Sequence, residues 1–204
     1  MLWWRLPRGL VESRAFAPPE LAGRYSGLYS VVVVVDYEDT PVGAYREIFI
    51  APGAYRFFDG RKYLSITKIY VSTMASVVNG RANWGIPKEL ADFAIDRGKP
   101  GHETYTAAIG GRSFFEMELK SYPPSLPASS RFMPPRMLHF AQLLDGRVFR
   151  FRLSLSGSMR FARVLRAKID PALFPDLTEG RLLAGARMSP CTLGMPVAAV
   201  LPGP

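Results

Sequence analysis

Apolar and polar positions alternate with a period of two along most of the chain, and turn-forming residues interrupt the alternation at close intervals. This pattern predicts short β-strands rather than long amphipathic helices. Ser26 to Tyr37 reads as a strand built on the β-branched run Val31 to Val35. Tyr45 to Ala51 alternates Tyr45, Glu47 and Phe49 with Arg46, Ile48 and Ile50, as expected of a strand covered on both faces. Asp59-Gly60 marks a hairpin turn, and Lys62 to Ser72 reads as one further strand. Thr73 to Val78 reads as a short helix ended by a turn at Asn79-Gly80. Pro87 to Phe93 reads as a helical turn with Pro87 at its start.

The second half continues in the same way. Glu103 to Ile109, Ser113 to Lys120, Met137 to Leu144, Arg147 to Leu155 and Ser158 to Val164 read as strands, with hairpin turns at Gly110-Gly111 and Asp145-Gly146. Ser121 to Pro135 reads as a long Pro- and Ser-rich loop. Pro171 to Phe174 reads as a helical turn, and Leu182 to Met188 as the final strand. The expected fold is therefore mostly β with minor α, an antiparallel sheet or barrel, and a doubly wound fold is disfavoured. The 204 residues suit one domain, 1–204.

Composition narrows the functional classes. No apolar run reaches the roughly 20 residues of a membrane helix, so no membrane partner is expected. Met1 to Phe16 lacks the apolar core of a signal peptide, and a cytoplasmic location is the default expectation. Cys191 is the only cysteine and His102 and His139 the only histidines. No His/Cys/Asp/Glu group has metal-ligand spacing, so neither a metal nor a cofactor is expected. The net charge of +9 is scattered rather than concentrated, with no nucleic-acid-binding motif. It reads as a basic surface able to attract small anions, not as a nucleic-acid site.

The segment Asn79 to Phe93 stands apart. It places Lys88 directly after Pro87 among Trp84, Ile86, Leu90 and Phe93. A lysine fixed by proline in apolar surroundings loses solvation, which disfavours its ammonium form. The neutral amine can then attack a carbonyl to form an imine. On residues alone, a solvated surface role is the default for Lys88, as for most lysines.

Gly80-Arg81 followed by Trp84-Gly85-Ile86-Pro87-Lys88 resembles the signature segment of the acetoacetate decarboxylase family. Gly27-Leu28-Tyr29, Tyr45 to Pro52 and Ile69-Tyr70-Val71 are similar to that family's strands, in the same order. The resemblance implies an antiparallel, cone-like β-barrel that forms homo-oligomers. It also implies a Schiff-base lysine at Lys88 and an active-site glutamate at Glu47. In this family the lysine is activated by desolvation or a cationic neighbour, and acetoacetate decarboxylase is the usual example. The implied activity is carbon–carbon cleavage of a small keto acid or related carbonyl compound. Aldolase or dehydratase chemistry on the same imine and a non-catalytic ligand-binding barrel are the alternatives. Arg81, Trp84, Glu89 and Arg5 are candidate substrate-binding residues, set against bland roles in pinning the loop, filling the core or solvation. Two departures stand out. Glu89 occupies the place of the family's second lysine, and no acid stands in Val31 to Val35, where the family's other glutamate falls.

Overall fold

The computed structural model describes residues 1–203. The chain begins with strand β1 (Leu2–Arg5) and helix α1 (Arg8–Arg14). There follow β2 (Ser30–Tyr37), β3 (Tyr45–Ala51), the hairpin β4 (Ala54–Arg56) and β5 (Lys62–Leu64), and β6 (Lys68–Val71). Helix α2 (Met74–Trp84) leads to β7 (Lys88–Leu90) and β8 (Asp92–Asp96). Then come β9 (His102–Ile109), β10 (Arg112–Ser129), β11 (His139–Leu144), β12 (Arg147–Arg152), β13 (Ser154–Ile169), β14 (Arg181–Gly194) and β15 (Ala199–Pro202). Ten strands form a barrel-like sheet in the order β7-β6-β3-β2-β1-β14-β13-β10-β9-β8, and five form a second sheet in the order β15-β12-β11-β5-β4. Most ladders are antiparallel. Among the described residues the parallel pairings are β6 with β7 and a single bridge between β5 and β11. The expected mostly β, barrel-like architecture is the one observed.

Strand β3 separates two apolar clusters. Ile48 and Ile50 pack with Leu2, Val32 and Tyr70, whereas Phe49 and Ala51 pack with Leu64, Ile69 and Phe149. This is the both-faces-covered strand that its sequence predicts. Registers then carry side chains across the sheet: Val33 lies opposite Phe49, Phe49 opposite Ile69, and Ile69 opposite Lys88. Because alternate residues face opposite sides, these registers place Lys88 and Phe49 on one face and Glu89 and Tyr70 on the other.

Several expected boundaries are corrected. The strand expected from Ser26 begins only at Ser30, because Gly27 and Leu28 both have positive φ (89° and 88°) and turn the chain. Lys62 to Ser72 is two strands in different sheets, β5 and β6. Its Tyr, Ile and Thr residues favour strand throughout, so propensity could not reveal the change of sheet. Asn79-Gly80 lies inside α2 rather than ending it. The helix runs from its Thr73 cap, whose side chain accepts from the Ser76 amide, to Gly85 in the left-handed conformation at φ 61°. The Gly85 amide donates to the Arg81 carbonyl and the Ile86 amide to that of Gly80, closing the last turn before Pro87. Pro87 to Phe93 is therefore extended, as β7 and β8. Ser121 to Pro135 is no simple loop: β10 continues to Ser129 against β13, with a register shift between Tyr122 and Leu126 where Pro123 and Pro124 offer no donor. Leu182 to Met188 is part of the longer β14 and is not final, since β15 follows and pairs with β12.

Gly85 fixes the exit from α2, and a Cβ there would meet the Phe149 ring at 2.2 Å. Gly85→Ala is expected to cost roughly 2–4 kcal/mol from left-handed strain and overpacking together. The check is a urea midpoint that falls with unchanged slope; an unchanged midpoint would show that this packing is not required.

Candidate active site

The Lys88 side chain is buried, with only 3% of its surface exposed, and Glu47 is 4% exposed. Lys88 Nζ donates to Glu47 Oε2 at 2.8 Å, to Ser76 Oγ at 3.0 Å and, at 3.4 Å, to the Tyr45 hydroxyl. It also lies 5.0 Å from the centre of the Tyr45 ring. The Tyr37 hydroxyl donates to Glu47 Oε1 at 3.4 Å, and the Tyr37 and Tyr45 rings lie 4.6 Å apart.

Helix α2 makes room for this lysine. A Cβ on Gly80 would stand 2.5 Å from Lys88 Cδ and 2.6 Å from Cε, so the lysine chain crosses the helix where no side chain exists. Ser76, one helical turn earlier on the same face, supplies the hydroxyl at the end of that path. Arg81 Nε donates to the Lys88 carbonyl at 3.1 Å and so ties the helix to β7. The glycine-rich signature thus has a local reason: Gly80 admits the lysine chain, Arg81 pins its backbone and Gly85 ends the helix.

Burial alone would lower the Lys88 pKa. The Glu47 charge and the Tyr45 and Glu47 hydrogen bonds outweigh it, and the net shift is upward. The desolvation anticipated from the apolar sequence around Lys88 is present, but the Glu47 carboxylate at 2.8 Å outweighs it. Burial pushes Tyr37 well above the usual phenol range, reinforced by Glu47 and Tyr45. Tyr45 is also raised, chiefly by burial and Glu47, against the opposing charge of Lys88. Both phenols are therefore neutral hydrogen-bonding groups at ordinary pH.

Lys88, Glu47, Tyr37 and Tyr45 line a cavity of about 880 Å³, counted with its opening to solvent. Tyr29, Val31, Val33, Val35 and Tyr37, alternate residues along the β2 segment, form one wall. The run in which the family would place a second glutamate is thus an apolar wall.

The structure brings Lys88 and Glu47 together and places the other four candidates off the cavity lining. Glu89 points to the opposite face and pairs with Lys68 at 2.6 Å. Arg81 is exposed, though its contact with the Lys88 carbonyl is half-buried. Trp84 Nε1 donates to the Pro196 carbonyl at 2.7 Å, its ring packed against the Phe49 cluster. Arg5 is exposed at the end of β1. Sequence reasoning did not single out Ser76, Tyr37 and Tyr45. The available signals were Tyr45 two residues before Glu47 on one strand face, and the small pair Ser76 and Gly80 at i, i+4. Among the described residues no group of three His, Cys, Asp or Glu is placed to hold a metal ion, and no helix is long and apolar enough to cross a membrane.

A barrel-like β-sheet that buries a lysine after an Ile-Pro pair against a strand glutamate defines the class of protein. The chain belongs to the acetoacetate decarboxylase family, whose model matches residues 18–167. The solved structures it resembles include acetoacetate decarboxylase from Legionella pneumophila, at 14% identity and TM-score 0.72, with 98% of this chain and 82% of that one covered. An acetoacetate decarboxylase-like enzyme from Sphingomonas wittichii RW1 aligns at 13% identity and TM-score 0.64, covering 99% of this chain and 89% of that one. MppR, an enduracididine biosynthesis enzyme seen with the condensation product of pyruvate and imidazole 4-carboxaldehyde, aligns at 17% identity and TM-score 0.55, covering 90% and 86%. At these identities the likeness establishes the fold. No curated protein sequence matches the chain.

Glu47→Gln should leave Lys88 with desolvation as the dominant influence, so its pKa should fall instead of rise. The raised lysine contributes stability that is complete at neutral pH and is lost only as pH rises through its folded-state value. Removing the partner should therefore cost about 3 kcal/mol at pH 7. Chemical denaturation at pH 7 and the pH dependence of Lys88 labelling would check both; unchanged stability and labelling would mean that the pair is not formed in solution.

Proposed function

We propose that this protein is a Schiff-base enzyme, a carbon–carbon lyase acting on a keto acid or related carbonyl compound through Lys88. The supporting observation is the contact between Lys88 Nζ and Glu47 Oε2 at 2.8 Å on a largely apolar cavity wall. Within that contact, moving one proton from nitrogen to oxygen converts two charges into a neutral amine and a neutral acid. Desolvation penalises the two charges and so eases this transfer, against the attraction within the pair. The amine then attacks the substrate carbonyl carbon, and Glu47 returns the proton to the departing oxygen, which leaves as water. The resulting protonated imine faces the regenerated carboxylate. It accepts the electron pair of a carbon–carbon bond broken at the neighbouring carbon. The enamine is protonated on carbon, and water releases product and lysine. Tyr45 and Ser76, both within hydrogen-bonding range of Nζ, orient the amine throughout, and Tyr37 steadies the carboxylate.

A second reading is a ligand-binding barrel without turnover. The raised Lys88 pKa favours it, because an ammonium is not a nucleophile. The two readings separate on covalent chemistry. Incubation with a panel of carbonyl compounds and cyanoborohydride should add a reduced adduct at Lys88, found by peptide mass and absent from Lys88→Ala. Glu47→Gln should form it about 100-fold more slowly. Full turnover by Lys88→Ala would refute the enzyme reading, and a folded protein with no adduct from any carbonyl would favour the binding barrel.

A further inference from the structure

The charge inventory of the cavity bears on what enters it. Among the described lining residues the only cationic side chain is Lys88, and Glu47 already neutralises it. Met1 also lines the cavity, but its amino group donates to the Ala186 carbonyl at 2.8 Å and burial lowers its pKa to about 6, so it is mostly uncharged at neutral pH. Tyr37 and Tyr29 add no charge, since burial raises both phenols. Arg5 and Arg81, the arginines proposed for substrate contact, do not line the cavity. A substrate carboxylate would therefore meet phenol hydroxyls but no free side-chain counter-ion, and would face the Glu47 carboxylate, so its desolvation would be only partly offset.

The apolar wall is long. Val35 lies opposite Glu47, and Val33, Val31 and Tyr29 continue the same face away from it. Six residues of strand span about 20 Å. The Tyr29 hydroxyl at the far end is buried without a hydrogen-bond partner.

We infer that the substrate is an uncharged carbonyl compound with an extended apolar chain, its carbonyl at Lys88 and its chain along β2 toward Tyr29. The carbonyl rests on the Schiff-base reading above, whereas the apolar chain rests on the wall and the absence of charge on the paired state of Lys88. Such a substrate has no carboxylate to lose, and in a β-hydroxy ketone the imine has a neighbouring carbon–carbon bond to cleave. After the imine forms with release of one water, Glu47 takes the hydroxyl proton. The bond between the α and β carbons breaks, its electrons pass into the imine to give the enamine, and an aldehyde leaves. Glu47 returns the proton to the α carbon, and one water hydrolyses the imine. The sum is β-hydroxy ketone to ketone plus aldehyde, with no oxidant or reductant.

The test compares two readouts on the wild-type chain: cyanoborohydride trapping at Lys88 and displacement of Nile red, a neutral apolar dye. The probes are acetone, 2-heptanone, 2-undecanone, and 3-oxodecanoate beside its methyl ester. Half-saturation should fall at least about tenfold from 2-heptanone to 2-undecanone, from the added methylenes. The ester should outperform the acid by a similar factor. Equal or better performance by the acid, or no dependence on chain length, overturns the inference while trapping at Lys88 would still uphold the Schiff-base reading. Chain-length-dependent displacement without any Lys88 adduct does the reverse: the uncharged apolar ligand stands and the lyase reading falls. Val33→Phe, which fills the wall, should lose the chain-length advantage; retaining that advantage would also overturn the inference. Should this variant fail to fold, the wild-type comparison decides alone.

Discussion

A lysine ammonium and a glutamate carboxylate hold each other 2.8 Å apart with almost no access to water. Neither charge would be tolerable there alone, because the solvation lost on burial is replaced only by the partner and by a few hydroxyl groups. Much of the surrounding structure can be read as meeting that condition. Ser76 and Tyr45 occupy further positions around Nζ, and Tyr37 approaches the second carboxylate oxygen. These contacts come from β2, β3 and α2, so the pair requires the barrel wall and the crossover helix to be in register at once.

The fold was largely legible because strand periodicity is a local property. Tyr45 to Ala51 alternates cleanly, and its two faces enter two clusters as written. The errors fell where a local signal has two uses. Asn-Gly favours turns, yet Gly80 sits in mid-helix because a side chain from another element occupies the space a Cβ would need. Proline suits the first turn of a helix, and it also suits the first residues after one, as Pro87 does behind Gly85. The Pro- and Ser-rich stretch after Lys120 looked like loop, but Ser129 and its neighbours find a partner in β13, a distant pairing that composition does not encode.

The site was legible in part. Lys88 and Glu47 stood out through the family resemblance, and period two separates Lys88 from Glu89 once β7 is known to be a strand. Reading that segment as helical hid the separation. The hydroxyl groups around Nζ were not legible, since Tyr37, Tyr45 and Ser76 converge only through sheet register and a crossover. The sign of the Lys88 shift was misjudged for the same reason: desolvation follows from an apolar neighbourhood in sequence, whereas the opposing carboxylate is 41 residues away.

The two members of the pair are also held unequally. Glu47 belongs to β3, which has strands on both sides, β2 and β6. Lys88 belongs to a three-residue strand at the end of the sheet order, paired there with β6 alone and otherwise tied by Arg81 to α2. The acid is thus a fixed post and the amine a tethered arm. In the proposed reaction, the adjustment demanded by bonding a carbon to Nζ would fall on the arm, and the barrel wall could stay still.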